Sequence, residues 1–168
     1  MVKLIDGKGQ LGEALKKAEI KSDWTIYHTW NFIDKEDEEI QRKCFLDFID
    51  YVVKHPNQKI CFISTSSINS NTSYKKYKRL AEIYLQGFSE HKIIRFCGII
   101  GKGVCQDFRE NKIKPYREMK LISLKKAIEL IISFLQSEDK DRTIYGYEIP
   151  ADIVNELIQF GKNGKTTE

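Results

Sequence analysis

The sequence predicts an α/β fold: a parallel sheet of about five strands with helices on both faces. Three observations carry that reading. Short apolar runs rich in β-branched residues recur along the chain, as in Val2 to Ile5, Trp24 to His28, Lys59 to Ser64 and Lys92 to Ile100. Between them lie longer stretches whose apolar residues fall at helical spacing. The first run also stops at Asp6-Gly7 and leads through a glycine-rich turn into a helical pattern.

In chain order, Val2 to Ile5 is a first strand, and Leu11, Ala14, Leu15 and Ala18 mark the helix after it. Trp24 to His28 is a second strand, with Thr, Ile and Tyr in sequence. Residues 36–54 read as a helix with Phe45, Phe48, Ile49, Val52 and Val53 on one face. KICFIS at 59–64 is a buried strand, 74–88 a helix, and Lys92 to Ile100 contains a further strand. Residues 101–121, with glycines, Pro115 and many charges, read as a loop. Ser123 is placed to N-cap a helix carrying Leu124, Ala127, Ile128, Ile131 and Leu135. Thr143 to Tyr147 is a last short strand, and Pro150 stands near the first position of a final helix. The crossovers are expected to be right-handed. This is a Rossmann-like arrangement in one domain over residues 1–161, with GKNGKTTE at 162–168 as a frayed tail.

Composition narrows the function classes. The chain has 168 residues, 41% hydrophobic and 31% charged, as a folded globular protein does. A net charge of +4 does not call for a nucleic-acid partner; Lys75, Lys76, Lys78 and Arg79 are the densest basic cluster, of which Lys75, Lys76 and Arg79 read as a solvated helix face. No run approaches a membrane span, and MVKLIDGKGQ holds no secretory-type apolar run, so a cytoplasmic location is expected. Cys44, Cys61, Cys97 and Cys105 include no C-x-x-C pair and only three histidines accompany them, so no metal site is expected. Cys61 and Cys97 lie in apolar runs and read as buried free thiols.

Two motifs carry chemistry. Gly7-Lys8-Gly9-Gln10-Leu11-Gly12 is a G-x-G-x-x-G between a strand and a helix. Gly7 permits the tight turn, Gly9 lets backbone approach a pyrophosphate, and Gly12 allows close helix–strand packing. The helix N-terminus, with Gln10 and Leu11, offers N–H groups to phosphate. The acid that normally binds a ribose about 20 residues on is missing, since the next strand ends at His28-Thr29-Trp30. The second motif is Tyr74 and Lys78, a Y-x-x-x-K after a buried strand that runs into Thr65-Ser66-Ser67. Residues four apart share a helix face. A lysine beside a tyrosine favours phenolate and is expected to lower the Tyr74 pKa. Such a phenol suits general acid–base work, with Thr65, and Ser66 after it, holding a substrate oxygen.

Together these stretches resemble the extended, nucleotide-sugar type of short-chain dehydrogenase/reductase, most nearly the dTDP-4-dehydrorhamnose reductases. GKGQLGEAL resembles the glycine turn and first helix of that family, and DWTIYHTW the strand that runs toward the nicotinamide. ISTSS with YKKYKRLAE is similar to the active-site strand and Tyr-Lys helix, Glu82 included, and IIRFCGIIGKG to the next strand and turn. The resemblance covers residues 1–103. It implies that Tyr74 is the general acid–base, that Lys78 holds the nicotinamide ribose, and that Thr65 binds the substrate oxygen. Gly7, Gly9 and Gly12 form the phosphate turn, and NAD or NADP is the implied cofactor. A nucleotide-linked keto sugar is the implied substrate, and a homodimer through helix 36–54 and the Tyr-Lys helix the implied assembly. The chain departs from the family by about one βαβ unit between the first helix and DWTIYH, which normally holds the ribose acid. Its substrate-binding part is also reduced. Two outcomes therefore stand: a minimal oxidoreductase or epimerase-type enzyme whose substrate pocket a partner completes, or a non-catalytic relative, a sensor or partner subunit, that binds a dinucleotide or nucleotide sugar.

Other residues are weighed individually. His28 either faces the nicotinamide or is packed, the latter favoured. Arg95, in an apolar strand, needs a partner and reads as structural. Lys102, Arg109, Lys112, Lys114 and Arg117 either meet a diphosphate or are solvated, and Trp24 and Trp30 read as core or interface.

Overall fold

The computed structural model describes residues 1–5, 9–66, 71–88, 90–100, 119–150 and 152–153. Strands β1 (Lys3–Ile5), β2 (Thr25–Tyr27), β3 (Ile60–Thr65), β4 (His91–Phe96) and β7 (Asp141–Ile144) form a parallel sheet in the order β1-β2-β3-β4-β7. Helices α1 (Gln10–Lys17), α2 (Glu38–Lys54), α3 (Ser73–Gln86) and α4 (Leu124–Gln136) cover it. The expected five-stranded α/β sheet is therefore present.

Each central strand is apolar on both faces, as burial between helix layers requires. Ile26, Cys61, Ile63 and Ile94 face Leu11 and Leu15 of α1 and Ala127, Ile131 and Phe134 of α4. Tyr27, Ile60, Phe62 and Ile93 face Phe48 and Val52 of α2 and Ala81 and Leu85 of α3. Asp37, Thr72 and Ser123 cap α2, α3 and α4, each accepting a backbone N–H with its side chain. Of the apolar face expected on α2, Phe48 and Val52 are buried, whereas Val53 is exposed.

The expectation of uniformly right-handed crossovers fails. The strands succeed one another across the sheet in chain order, all parallel, so every crossover steps the same way. Yet α1 and α4 lie on one face and α2 and α3 on the other. Crossovers that step the same way over opposite faces have opposite hands. The connections through α1 and α4 therefore differ in hand from those through α2 and α3, and one pair is of the rare kind.

A second sheet also departs from expectation. Strand β5 (Gly98–Ile100) pairs parallel with β6 (Met119–Ser123), which pairs antiparallel with β8 (Tyr147–Ile149). The run Lys92 to Ile100 is thus two strands in two sheets, and so is the run around Thr143 to Tyr147. The end of the expected loop, Met119–Leu121, is strand. Glycines permit the close packing. A Cβ on Gly98 would lie 2.7 Å from Leu121 Cδ2, and one on Gly146 would lie 2.6 Å from the Leu121 carbonyl oxygen. The basic loop residues Lys102 to Arg117, Cys105, the final helix beyond residue 153 and the tail lie outside the described residues.

Gly146→Ala should destabilise the protein by about 1–3 kcal/mol, since the new methyl meets backbone that cannot yield. Urea unfolding followed by circular dichroism measures this, and an unchanged midpoint would contradict the packing described.

Candidate functional site

Parallel strands carry their loops to a common edge, and the sequence-predicted residues gather at the carboxyl edge of this sheet. Gly9 follows β1, His28 follows β2, Thr65 ends β3, and Ser66 comes next. Gly9 is the N-cap of α1, with extended backbone and no side-chain cap. A Cβ there would meet no described atom within 4 Å, so the space beside Gly9 is open. Leu11 and Gly12 are buried beneath it, and Gln10 Nε2 donates to the Ile99 carbonyl at 3.4 Å, tying the turn to β5. Gly7 lies outside the described residues. The Ser66 N–H donates to the Phe96 carbonyl at 2.8 Å, continuing the β3–β4 pairing.

Tyr74 and Lys78 share the sheet-facing side of α3. Lys78 is only 4% exposed. Its Nζ donates to the Ile63 carbonyl at 2.7 Å and lies 5.2 Å from the ring centroids of Tyr74 and Phe62 and 5.4 Å from that of Trp30. Burial pushes its pKa down to about 7, while the Glu82 carboxylate opposes the shift. Lys78 is therefore enclosed, while Lys76 and Arg79 stay on the exposed face of α3. Lys76 pairs with Glu38 at 2.6 Å and Arg79 with Glu82 at 2.7 Å.

The expected lowering of the Tyr74 pKa is overturned. Burial raises the phenol above its ordinary value, and Cys44 adds to the shift. The physical reason is desolvation, which penalises the phenolate. The ammonium is committed to a carbonyl and to ring faces, and the phenolate would be desolvated. The Tyr74 ring meets Phe32 edge-on at 5.4 Å.

His28 follows β2 and is half-buried. Burial pushes its pKa down to about 4, with the Lys78 charge adding to the shift. Its Nδ1 is buried and has no hydrogen-bond partner among the described residues.

Glu82 organises the base of the site. Its buried carboxylate accepts from Ser64 Oγ on β3, from Arg79, and from Arg95 Nε and Nη2 on β4, the latter at 2.7 Å. Arg95 also pairs with Asp141 on β7, so its expected structural role holds.

Sequence reasoning missed Gln41. This fully buried residue of α2 accepts from Trp30 Nε1 at 2.8 Å and donates to the Asn31 and Asp34 carbonyls at 2.8 and 3.0 Å. A glutamine in the first turn of an amphipathic helix gives no sequence signal of such a role. Among the described residues no cluster of His, Cys, Asp or Glu could hold a metal, and no helix is long and apolar enough to cross a membrane.

No protein-family model matches the sequence, and no curated protein matches it significantly. Solved structures do match its fold. RMD from Pseudomonas aeruginosa, complexed with NADPH, superposes with a TM-score of 0.70 at 12% identity over 99% of this chain and 84% of that one. A GDP-L-fucose synthetase from Naegleria fowleri bound to NADP gives 0.67 at 12% identity over 99% and 79%. UDP-N-acetylglucosamine 4-epimerase from Methanobrevibacter ruminantium M1, in complex with UDP-N-acetylmuramic acid, gives 0.61 at 15% identity over 96% and 67%. The chain thus shares its fold with these solved structures and covers 67–84% of their lengths.

The two shifted bases give a pH dependence. Between its folded value of about 7 and its ordinary 10.5, Lys78 binds fewer protons in the folded chain than in the unfolded one, and His28 does so between about 4 and 6.5. Stability therefore rises with pH across each window. Thermal unfolding should show a midpoint that climbs from neutral to mildly alkaline pH in the wild type and climbs less in Lys78→Met. An equal climb in both would refute a buried, suppressed Lys78.

Proposed function

We propose that the chain binds NAD or NADP and acts as a nucleotide-sugar oxidoreductase or epimerase-type enzyme. The observation that carries this reading is the Tyr74–Lys78 pair beside the end of β3, on a fold shared with enzymes solved with NADPH and NADP. The residues fit the cofactor at two points: the uncapped helix start at Gly9, with open space beside it, and the unpartnered Nδ1 of His28. A bound nicotinamide supplies hydride transfer at a sugar carbon. The chain supplies the rest. Gly9, Gln10, Leu11 and Gly12, with Gly7, bind the pyrophosphate through backbone N–H groups. Lys78 and His28 hold the nicotinamide ribose, Thr65 with Ser66 orients the sugar oxygen, and Tyr74 moves the proton at that oxygen. The raised Tyr74 pKa suits a phenol that starts as the acid.

A second reading has its own support. Lys78 is closed from solvent and the sheet ends at β1, on the side where the family's ribose acid would lie. A relative that binds without turnover fits these facts. We place the protein in the cytoplasm, as one domain whose free thiols Cys44, Cys61 and Cys97 suit a reducing compartment.

Titration with NADH and NADPH, followed by nicotinamide fluorescence, tests the cofactor, and screening of nucleotide-linked keto sugars tests turnover. Tyr74→Phe should cut turnover by at least about a hundredfold while leaving dinucleotide affinity nearly unchanged. Binding without turnover in the wild type selects the second reading; no binding at millimolar dinucleotide removes both.

The outer side of the α2–α3 pair carries exposed Leu46, Val53, Leu80 and Ile83, and we propose it as a homodimer face. Sedimentation should give a dimer for the wild type and a monomer for the Leu46→Asp/Ile83→Asp double variant. A wild-type monomer at micromolar concentration would refute it.

A further inference from the structure

We propose that residues 28–37 form a strap, latched by Gln41, that closes the Tyr74–Lys78 pair, so that a ligand reaches Lys78 only when Trp30 leaves it. The consequence for cofactor entry rests on the dinucleotide reading above; the closure does not.

The strap is held from one point. Gln41 commits its acceptor and both donors to it, at Trp30 Nε1, the Asn31 carbonyl and the Asp34 carbonyl. Asn31 and Asp34 close a turn within the strap, Asn31 Nδ2 donating to Asp34 Oδ2 at 2.9 Å and the Asp34 N–H to Asn31 Oδ1 at 3.0 Å. The far end meets the first turn of α3, where the Tyr74 N–H donates to the Lys35 carbonyl at 2.8 Å. Between these anchors two rings cover the pair: Trp30 lies over the Lys78 ammonium and Phe32 stands edge-on to the Tyr74 ring.

Two features mark this as a closed state of something that opens. Outside, the strap is not packed: Phe32 is 41% and Ile33 90% exposed, and the residues from Ile33 to Asp37 are exposed in turn. Its ring contacts are Trp30 with Phe62 and Phe32 with Tyr74, so opening needs Trp30 to leave the core while the exposed stretch after it follows freely. Inside, closure leaves the buried Nδ1 of His28 without a partner among the described residues, beside a lysine caged by rings. Closure thus leaves this one buried polar atom unsatisfied, which a ligand hydroxyl would satisfy.

The test is chemical labelling. The wild-type chain, Trp30→Ala and Gln41→Ala are exposed to trinitrobenzenesulfonate at mildly alkaline pH, and modification of Lys78 is followed by peptide mass, with exposed Lys16 and Lys17 as internal standards. Lys78 should react at least about tenfold more slowly than the standards in the wild type, and both variants should close that gap, as expected when protection reflects local opening. Lys78 reacting as fast as Lys16 in the wild type would overturn the strap. So would undiminished protection in variants whose circular dichroism is native. If Gln41→Ala fails to fold, Trp30→Phe, which keeps a ring but loses the latch bond, takes its place under the same criteria. The same samples titrated with NADH and NADPH judge the dinucleotide reading separately. Labelling that opens in the variants while no dinucleotide binds supports the strap and sinks that reading. Binding about tenfold tighter in Trp30→Ala than in the wild type supports both, because the variant no longer spends affinity on opening.

Discussion

The carboxylate of Glu82 is where helix, sheet and site are tied together. It is 2% exposed and accepts from side chains of β3, β4 and its own helix, while Arg95 carries the link on to Asp141 of β7. A buried carboxylate without such partners would be costly, and an Arg95 left without Glu82 would be nearly as bad. The network therefore admits one rotation and one height of α3 against the sheet. Lys78 and Tyr74 stand one and two turns above Glu82 on the same side of the helix. Fixing Glu82 consequently aims both at the end of β3, where the Ile63 carbonyl receives the lysine.

The sheet imposes a second constraint. Its strands march in one direction from β1 to β7, yet helices cover both faces. In a sheet whose order reverses at β1, α1 would step the other way over the same face and its crossover would have the common hand. Here α1 leads straight to β2 instead. Its position is held by packing, with Leu11 and Leu15 buried in the core they share with α4. The result keeps the glycine turn and the Tyr-Lys helix at one edge and leaves β1 as the end of the sheet. The chain spans 67–84% of the three solved enzymes compared with it.

The electrostatics of the pair follow from enclosure. Beside a solvated tyrosine a lysine stabilises phenolate. Here the cation is dispersed over three ring faces and a carbonyl, and both groups are driven toward their neutral forms. Trp30, read from sequence as core or interface, is what completes the enclosure.

Much of this was legible in the order of residues. Apolar runs buried on both faces announce a parallel sheet, and Leu11, Leu15, Phe48, Val52, Ala127 and Ile131 fall at helical spacing because each helix buries one stripe. Tyr74, Lys78, Thr65 and the glycines were visible because local spacing alone places them on a helix face, at a strand end and in a turn. What local spacing does not encode was settled by the tertiary structure. The break at Cys97 that sends one apolar run into two sheets depends on Gly98 and Gly146 meeting Leu121 across the chain. The hand of the α1 crossover depends on which face has room for it. The burial of Lys78, the raised Tyr74 phenol and the latch at Gln41 all depend on residues far apart in sequence, from His28 to Lys78, meeting at one edge of the sheet. Periodicity fixes which side of an element is apolar; only packing decides which polar groups are shut in with it, and what they must then bind.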